Sequence, residues 1–487
     1  MSMIQIKDLS YTWDGGADPV FDHCNVLLDT DWKTGLIGRN GRGKTTLLNL
    51  LQNNYPYEGT ILSSVEFNYF PDNIENPSLM TLDILSNIAP AEDWEFIREL
   101  SLMHMDAEVL YRPFSTLSEG EKTRVLLAAH FLNDGQFQLI DEPTNHLDIE
   151  ARKQLAQYLN RKKGFILVSH DRALLNACTD HIMSINRSTI TVTAGNYATW
   201  KENFERQEMF ELSRNEQLKK DIRRLNKAAE RSKVWSDKTE KKKFGNGPVD
   251  RGFIGHKSAS MMKRAKSIEA RYDKAIVEKS SLLKDFEETE RLSIPSIDHH
   301  KKELVRFENV SIAYDTKTVT DAVSFHVLQG EITAICGRNG SGKSSLLKCL
   351  VGHNISYTGT IETATNLILS YVPQDSTFLK GPLSSIEKER DIDPTMFRTL
   401  LRKLGFERYM FEKNMETYSL GQKKKVLLAA SLCEHAHLYV WDEPLNYLDI
   451  DAREQIEEMI CRSHASILLV EHDAEFLHNI SAKSVHI

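Results

Sequence analysis

Two stretches of this chain have the residues to hold a polyphosphate. GRNGRGKT supplies Gly38, Asn40, Gly41, Gly43, Lys44 and Thr45, with Thr46 next; GRNGSGKS supplies Gly337, Asn339, Gly340, Gly342, Lys343 and Ser344, with Ser345 next. Both fit G-x-x-x-x-G-K-[ST], in which backbone N–H groups curl around phosphate, the lysine reaches the β- and γ-phosphates and the hydroxyl faces Mg2+. Downstream of each, an apolar run ends on an acidic pair, Asp141 and Glu142 in FQLIDEPTNHLD, Asp442 and Glu443 in LYVWDEPLNYLD. The aspartates suit the metal. The glutamates suit polarising an attacking water, with His170 in LVSHD and His472 in LVEHD orienting it against the γ-phosphate. This is the equipment of ATP hydrolysis with Mg2+. The offsets are 301 residues for Asp141 to Asp442 and 302 for His170 to His472. Unrelated glycine turns beside surface acids would not recur in one order at one offset, so the chain carries an internal duplication.

Each phosphate loop follows a strand-like apolar run (Gly35 to Ile37, Ile332 to Cys336) and opens an apolar-patterned helix (Leu47 and Leu48, Leu346 and Leu347). Between loop and acids lie LSEGEKTR, with Ser118 and Gly120, and YSLGQKKK, with Ser419 and Gly421, again 301 apart. Both begin amphipathic helices, so each half has a second anion-binding helix N-terminus. The same serines also read as plain N-caps. Such an end is useless to its own phosphate loop unless the two halves face each other head to tail.

At 487 residues with 41% hydrophobic content, two domains of about 200 residues plus a connector are expected. No run of 18 apolar residues exists to span a membrane, and the start, MSMIQIKDLS, lacks the pattern of an export signal. Cys24, Cys178, Cys336, Cys349, Cys433 and Cys461 show no CxxC spacing. They read as reduced core thiols of a cytoplasmic protein.

From Trp200 to about Leu292 the strand pattern vanishes. Phe204, Leu218, Ile222, Leu225 and Ala229 recur at threes and fours, as do Ala265, Ile268, Tyr272, Ile276 and Leu283, with a glycine-bearing stretch between them. This predicts two long antiparallel helices with a loop at the tip, each limb of about 35 residues spanning about 50 Å. Residues 219–274 hold 18 Lys+Arg against 7 Asp+Glu, a net +11, in a chain that totals −8. A basic arm on an acidic body points to a polyanionic target. Lys241, Lys242, Lys243, Lys263 and Arg264 are the candidate phosphate contacts, and Phe244 and Phe253 could stack on bases. A solvated coiled coil or a protein-docking hairpin is the bland alternative.

The serine-glycine loops and the duplication resemble the ATP-binding cassette (ABC) superfamily, in which ATP is sandwiched between one cassette's phosphate loop and the other's signature loop. By that resemblance Lys44 pairs with Ser419 and Lys343 with Ser118, within one monomer. Trp13 and Tyr314 stand where the family stacks an aromatic on adenine, although each alone reads as an ordinary strand aromatic. Gln374 in YVPQD matches the family's metal-facing glutamine loop, whereas YFPDN puts Asp72 at that position; an acid there can reach Mg2+ directly or through water. The second signature carries Tyr418 and Leu420 where the family usually has leucine and glycine.

Two cassettes joined by a long basic hairpin are similar to the ABC-F family of translation-associated ATPases, a resemblance that includes GNYATWKENFERQ at the entry to the connector. It implies an α/β fold: cassettes at 1–199 and 294–487, an α-helical hairpin linker at 200–293 and its tip at about 236–256. It also implies binding at the tRNA exit site of the 70S ribosome, with the linker toward 23S rRNA, P-site tRNA and the peptidyl transferase centre, and no membrane subunits. Only 46 residues separate Asp72 from Ser118, against 45 from Gln374 to Ser419, which leaves no room for the extra arm of housekeeping members. The tip, VDRGFIGHKSASMMKRAK, looks like that of the antibiotic-resistance branch, especially the Lsa-like proteins, which protect ribosomes from lincosamides, pleuromutilins and streptogramin A compounds. A drug-independent translation regulator is the alternative. A membrane-transporter ATPase or a DNA-repair ABC ATPase fits the basic hairpin less well.

Overall fold

The computed structural model describes residues 2–13, 19–133, 135–145, 147–186, 188–241, 294–314 and 317–487. These fall into two compact units, one within Met1–Trp200 and Leu292–Ile487, the other within Lys201–Arg291. The first unit holds both halves of the duplication.

The main sheet of the first half runs in the order Glu66–Phe70, Gln136–Asp141, Phe165–Val168, Lys33–Ile37, His181–Asn186, Thr189–Ala194. Its neighbours are parallel except for the last pair. The second half repeats the plan in five parallel strands, Leu369–Val372, Leu438–Asp442, Ile467–Val470, Ile332–Cys336 and Lys483–His486. FILV at Phe165–Val168 and ILLV at Ile467–Val470 are buried at every residue, as strands must be when both faces of a parallel sheet are covered. A three-stranded antiparallel sheet accompanies each, with Met3–Tyr11 or Glu303–Tyr314 in the middle. There, burial alternates along much of a strand, as in FDHCNVLLD at Phe21–Asp29, because one face meets the core and the other meets water.

This topology brings distant motifs together. The phosphate loops follow Ile37 and Cys336, the acids end the strands at Asp141 and Asp442, and the histidines follow Val168 and Val470. Parallel strands share a carboxyl edge, so all three groups emerge side by side at one crevice.

Each half buries two cores. In the first half, one gathers Ile4, Phe21, Leu47, Leu48 and Val168, the other Phe96, Leu100, Val125, Leu155 and Leu167. Ile450 of the second half joins the latter, and a fully buried side chain of this size contributes roughly 1.5–3 kcal/mol.

The connector begins as one helix, Tyr197–Lys241, of 45 residues, about 68 Å at 1.5 Å per residue. It is longer than the 35 expected and starts inside the first unit. Ion pairs Arg206–Glu202 (2.6 Å) and Lys201–Glu205 (3.6 Å) lie along its early turns. Lys241 is its last residue; the rest of the predicted tip, the returning limb, and Lys242, Lys243, Phe244, Phe253, Lys263 and Arg264 lie outside the described residues. Among the described residues no helix is long and apolar enough to cross a membrane. Cys461, expected in a core, is exposed near the end of the helix Ile450–Arg462, while Cys24, Cys178, Cys336 and Cys433 are buried.

Candidate active sites

The two phosphate loops close in the same way. Gly43 and Gly342 precede their helices at φ 94° and 89°, a region that favours glycine. A Cβ on Gly342 would lie 1.9 Å from Thr320 Oγ1, and one on Gly43 2.6 Å from Val20 Cγ1. Gly41 and Gly340 also have positive φ. Inside the loops, Lys44 Nζ donates to Gly38 O (2.6 Å) and Asn40 Oδ1 (3.1 Å), and Lys343 Nζ to Gly337 O (2.9 Å) and Arg338 O (2.8 Å). Burial holds both ammonium groups below their ordinary range, so they are primed for an anion that would stabilise the charge.

The hydroxyls meet the acids as the motif requires. Thr45 Oγ1 donates to Asp141 Oδ2 and Ser344 Oγ to Asp442 Oδ1, both at 2.9 Å. Asp442 Oδ2 is buried with no hydrogen-bond partner, as are both ring nitrogens of His472. A buried, unpaired carboxylate oxygen is costly unless a cation faces it. Together with the serine oxygen it makes a hard, all-oxygen donor set, which fits Mg2+. Burial pushes the Asp442 carboxyl up to about 6 and that of Glu142 to about 7, with the neighbouring acid adding to each rise.

Glu142 and Glu443 occupy left-handed backbone at φ 50° and 46°, each with its N–H bonded to the strand that leads to the histidine: Val168 O at 2.9 Å and Val470 O at 3.0 Å. His170 Nε2 lies 3.1 Å from Asn40 Oδ1 and 3.3 Å from Glu142 Oε1, while His472 Nε2 stands 3.8 Å from Glu443 Oε1. Burial, and then the phosphate-loop lysine, drive both imidazoles down, His472 to about 3. They are therefore neutral near pH 7 and can each accept or donate one proton.

The halves differ at the glutamine-loop position. Gln374 Nε2 donates to Glu443 Oε2 at 2.9 Å. Asp72 instead lies 2.5 Å from His130 Nε2, on the helix Glu119–His130, so its described contact is to that helix. Tyr69 OH donates to Asp141 Oδ2 at 3.1 Å, whereas the corresponding Tyr371 OH is buried without a partner.

Both signature serines cap their helices: Ser118 Oγ accepts from Glu121 N (3.3 Å) and Ser419 Oγ from Gln422 N (3.2 Å), each within a capping box. Gly421 packs on the second half's own turn, where a Cβ would fall 2.5 Å from Tyr447 O. Gly120 O accepts from Arg124 Nε at 3.2 Å. Tyr418 is structural, its hydroxyl donating to Met410 O (2.7 Å) and Lys413 O (3.0 Å), while Leu420 is exposed. Trp13 is exposed and edge-on to Tyr55, ring centroids 5.4 Å apart. Tyr314, also exposed, holds Ser345 Oγ at 2.9 Å.

The halves meet across these loops. Asn40 N donates to Asp449 Oδ2 (3.2 Å), Asn40 Nδ2 to Tyr447 O (3.1 Å) and Arg39 Nε to Asp451 Oδ2 (2.7 Å). In the reciprocal direction Asn339 N donates to Asp148 Oδ2 at 3.4 Å. A cavity of about 450 Å³ around Lys343, Ser344, Gln374, Glu443 and His472 is completed by Leu147 and Arg152 of the first half. Asp148 and Asp449 were not singled out as candidates, although both close the repeated acid motif. Arg152 and Arg453 were also missed; they tie that motif to Asp171 and Asp473, beside the histidines, at 3.2 and 3.1 Å.

Two phosphate loops at the carboxyl edges of duplicated parallel sheets, each meeting the other half's acid-motif turn, define a double-cassette ATPase. The family described as ABC transporter matches residues 21–145 and 320–446. The chain belongs to it, in the ABC-F branch. It is 30% identical over 467 residues to the ribosome protection protein VmlR of Bacillus subtilis, covering 94% of this chain and 82% of that protein. It is 26% identical to the ATP-binding protein Uup of Caulobacter vibrioides, covering 99% and 77%. Among solved structures, the fold is similar to the RNase-L inhibitor (TM-score 0.65, 19% identity, 99% and 87% covered). It is also similar to the archaeal ribosome recycling factor aABCE1, in complex with ribosomal stalk protein aP1 (TM-score 0.64, 18% identity, 98% and 87% covered).

Proposed function

We propose that this ATPase binds the ribosome at the tRNA exit site with its cassettes closed on ATP. Its linker then perturbs the peptidyl transferase centre, so that lincosamides, pleuromutilins and streptogramin A compounds lose their contacts. The observation that carries this reading is the 30% identity to a ribosome protection protein across 94% of the chain, joined to a linker of net charge +11 over residues 219–274. Basic arms find polyanions and are steered to them. The protein acts in the cytoplasm, on 70S ribosomes, through 23S rRNA and P-site tRNA.

In the proposed cycle, Lys44 with Ser419 and Lys343 with Ser118 clamp two ATP molecules. The contacts of Asn40 with Asp449 and of Asn339 with Asp148 support this pairing. Mg2+, held by Thr45 and Asp141 or by Ser344, Asp442 and Gln374, would offset phosphate charge. Glu142 and Glu443 take a proton from the attacking water as His170 and His472 orient it. Loss of the γ-phosphate removes the bridge between cassettes. A full switch between 1:99 and 99:1 populations needs about 5.5 kcal/mol of differential binding.

The test is a minimum-inhibitory-concentration panel with and without expression, paired with in vitro translation under a pleuromutilin or lincosamide. Protection is expected from the full chain and is expected to vanish when Phe244 to His256 is replaced by a short Gly-Ser turn, with ATP hydrolysis retained. A drug acting at the decoding centre should be unaffected by either protein. Equal protection by both would favour a drug-independent translation factor.

A further inference from the structure

Lys423, Lys424 and Lys425 follow the second signature loop, and all three are buried. A run of like charges on a helix ordinarily faces water, because a buried ammonium needs acceptors to replace its hydration. Lys424, 1% exposed, has three, all backbone carbonyls: Pro373 O (2.8 Å), Gln374 O (3.3 Å) and Asp442 O (3.1 Å). One side chain thereby joins the helix Leu420–Cys433, the glutamine loop and the end of the acid strand. The groups it anchors converge on Glu443, which follows Asp442 in the chain and accepts from Gln374 Nε2 at 2.9 Å.

The next residue turns toward the other site. Lys425 Nζ donates to Asp449 Oδ2 at 2.9 Å, the same oxygen that accepts from Asn40 N of the first phosphate loop at 3.2 Å. The first half has neither lysine. Thr123 stands at the Lys424 position and donates to Glu119 O of its own helix at 3.0 Å, and the link from helix to loop is made by His130 and Asp72.

We propose that Lys424 is a positioning residue of the second ATP site, locking Gln374 and the Asp442–Glu443 turn to the helix that begins at Ser419. Hydrolysis beside Lys343 therefore follows the placement of that helix through Gln374 to Glu443, whereas the first half's link from helix to loop ends on Asp72. The inference rests on Glu443 being the acid of the second site.

The test is Lys424→Thr, which installs the first half's residue, in full-length protein carrying either Glu142→Gln or Glu443→Gln so that one site remains. Single-turnover ATP hydrolysis reads the chemical step at each site. With Glu142→Gln, the added substitution is expected to slow the step at least tenfold while half-saturating ATP stays within threefold. With Glu443→Gln it is expected to move the rate less than twofold. Lys424→Gln, whose amide can donate to the same carbonyls, should recover at least threefold over threonine. If the threonine variant melts below the assay temperature, Lys424→Gln is read alone, with a threefold slowing at the second site only. Equal slowing in both backgrounds, no slowing with Glu142→Gln, or a shift in half-saturation alone would overturn the proposal. Undiminished hydrolysis when Glu443→Gln is added to Glu142→Gln, with Lys424 intact, would instead remove Glu443 from its role, and this inference with it.

Discussion

The two cassettes share their acids and histidines and differ in how those groups are braced. In the second, Gln374 is bonded to Glu443, and Lys424 fastens the surrounding backbone. In the first, the loop residue Asp72 is bonded to His130, and Asp141 is braced by Tyr69 as well as by Thr45. A duplicated site can thus keep its reacting groups while the scaffold behind each copy diverges. The residues that touch substrate are constrained by chemistry, and those behind them only by geometry.

The comparison breaks most completely if the shared groups are not the catalysts. Glu142→Gln together with Glu443→Gln should lower phosphate release by at least about 10²-fold, since a positioned general base contributes 10²–10⁴. ATP binding, followed by a fluorescent analogue, should be retained. Wild-type hydrolysis by this protein would reassign both residues.

Next in size is the brace between cassettes. Arg172 is 5% exposed and pairs with Glu457 at 2.8 Å; the second cassette has Ala474 there. Arg172→Ala should cost about 3 kcal/mol in denaturant unfolding, the penalty for stranding a buried partner charge. Arg39→Ala, which removes a pair with Asp451 that is half exposed on both sides, should cost less than about 1 kcal/mol. Equal losses would mean that burial does not separate the two contacts.

The differing glutamine loops are sharpened by a double-mutant cycle on Asp72→Ala and His130→Ala, with an expected coupling of about 1–2 kcal/mol in thermal or chemical unfolding. A coupling near zero would reduce their contact to mere proximity. The smallest expected effect compares two tyrosines. Tyr69→Phe removes a bonded hydroxyl and should cost about 1 kcal/mol, whereas Tyr371→Phe removes a buried hydroxyl without a partner and should be neutral or stabilising. Equal costs would place an acceptor near Tyr371 that its surroundings do not show.

The candidate phosphate loops were legible because the motif is local: each is eight consecutive residues, and its repeat at one offset supplies the second copy. The α/β plan came from the family resemblance that those loops carry, and the sheets bear it out. The braces were not legible. Asp72 and His130 are 58 residues apart, and neither type announces the pairing. Lys424 was hidden in a KKK run, which by charge alone reads as a solvated face. Arg172 acts on a helix of the other cassette. A cue did exist for each: comparing the repeats position by position sets His130 against Ser431, Lys424 against Thr123 and Arg172 against Ala474. These are places where the copies disagree inside otherwise matching segments.

The left-handed backbone at Glu142 and Glu443 carries a conformational cost. A side chain held at φ near 50° costs about 1–2 kcal/mol that glycine would avoid. At Glu443 the carboxylate also accepts from Gln374 Nε2 and Asn446 Nδ2, contacts that glycine would forfeit. This chain keeps the costlier residue in both copies. Both turns therefore hold a carboxylate at a backbone conformation that glycine would adopt more cheaply.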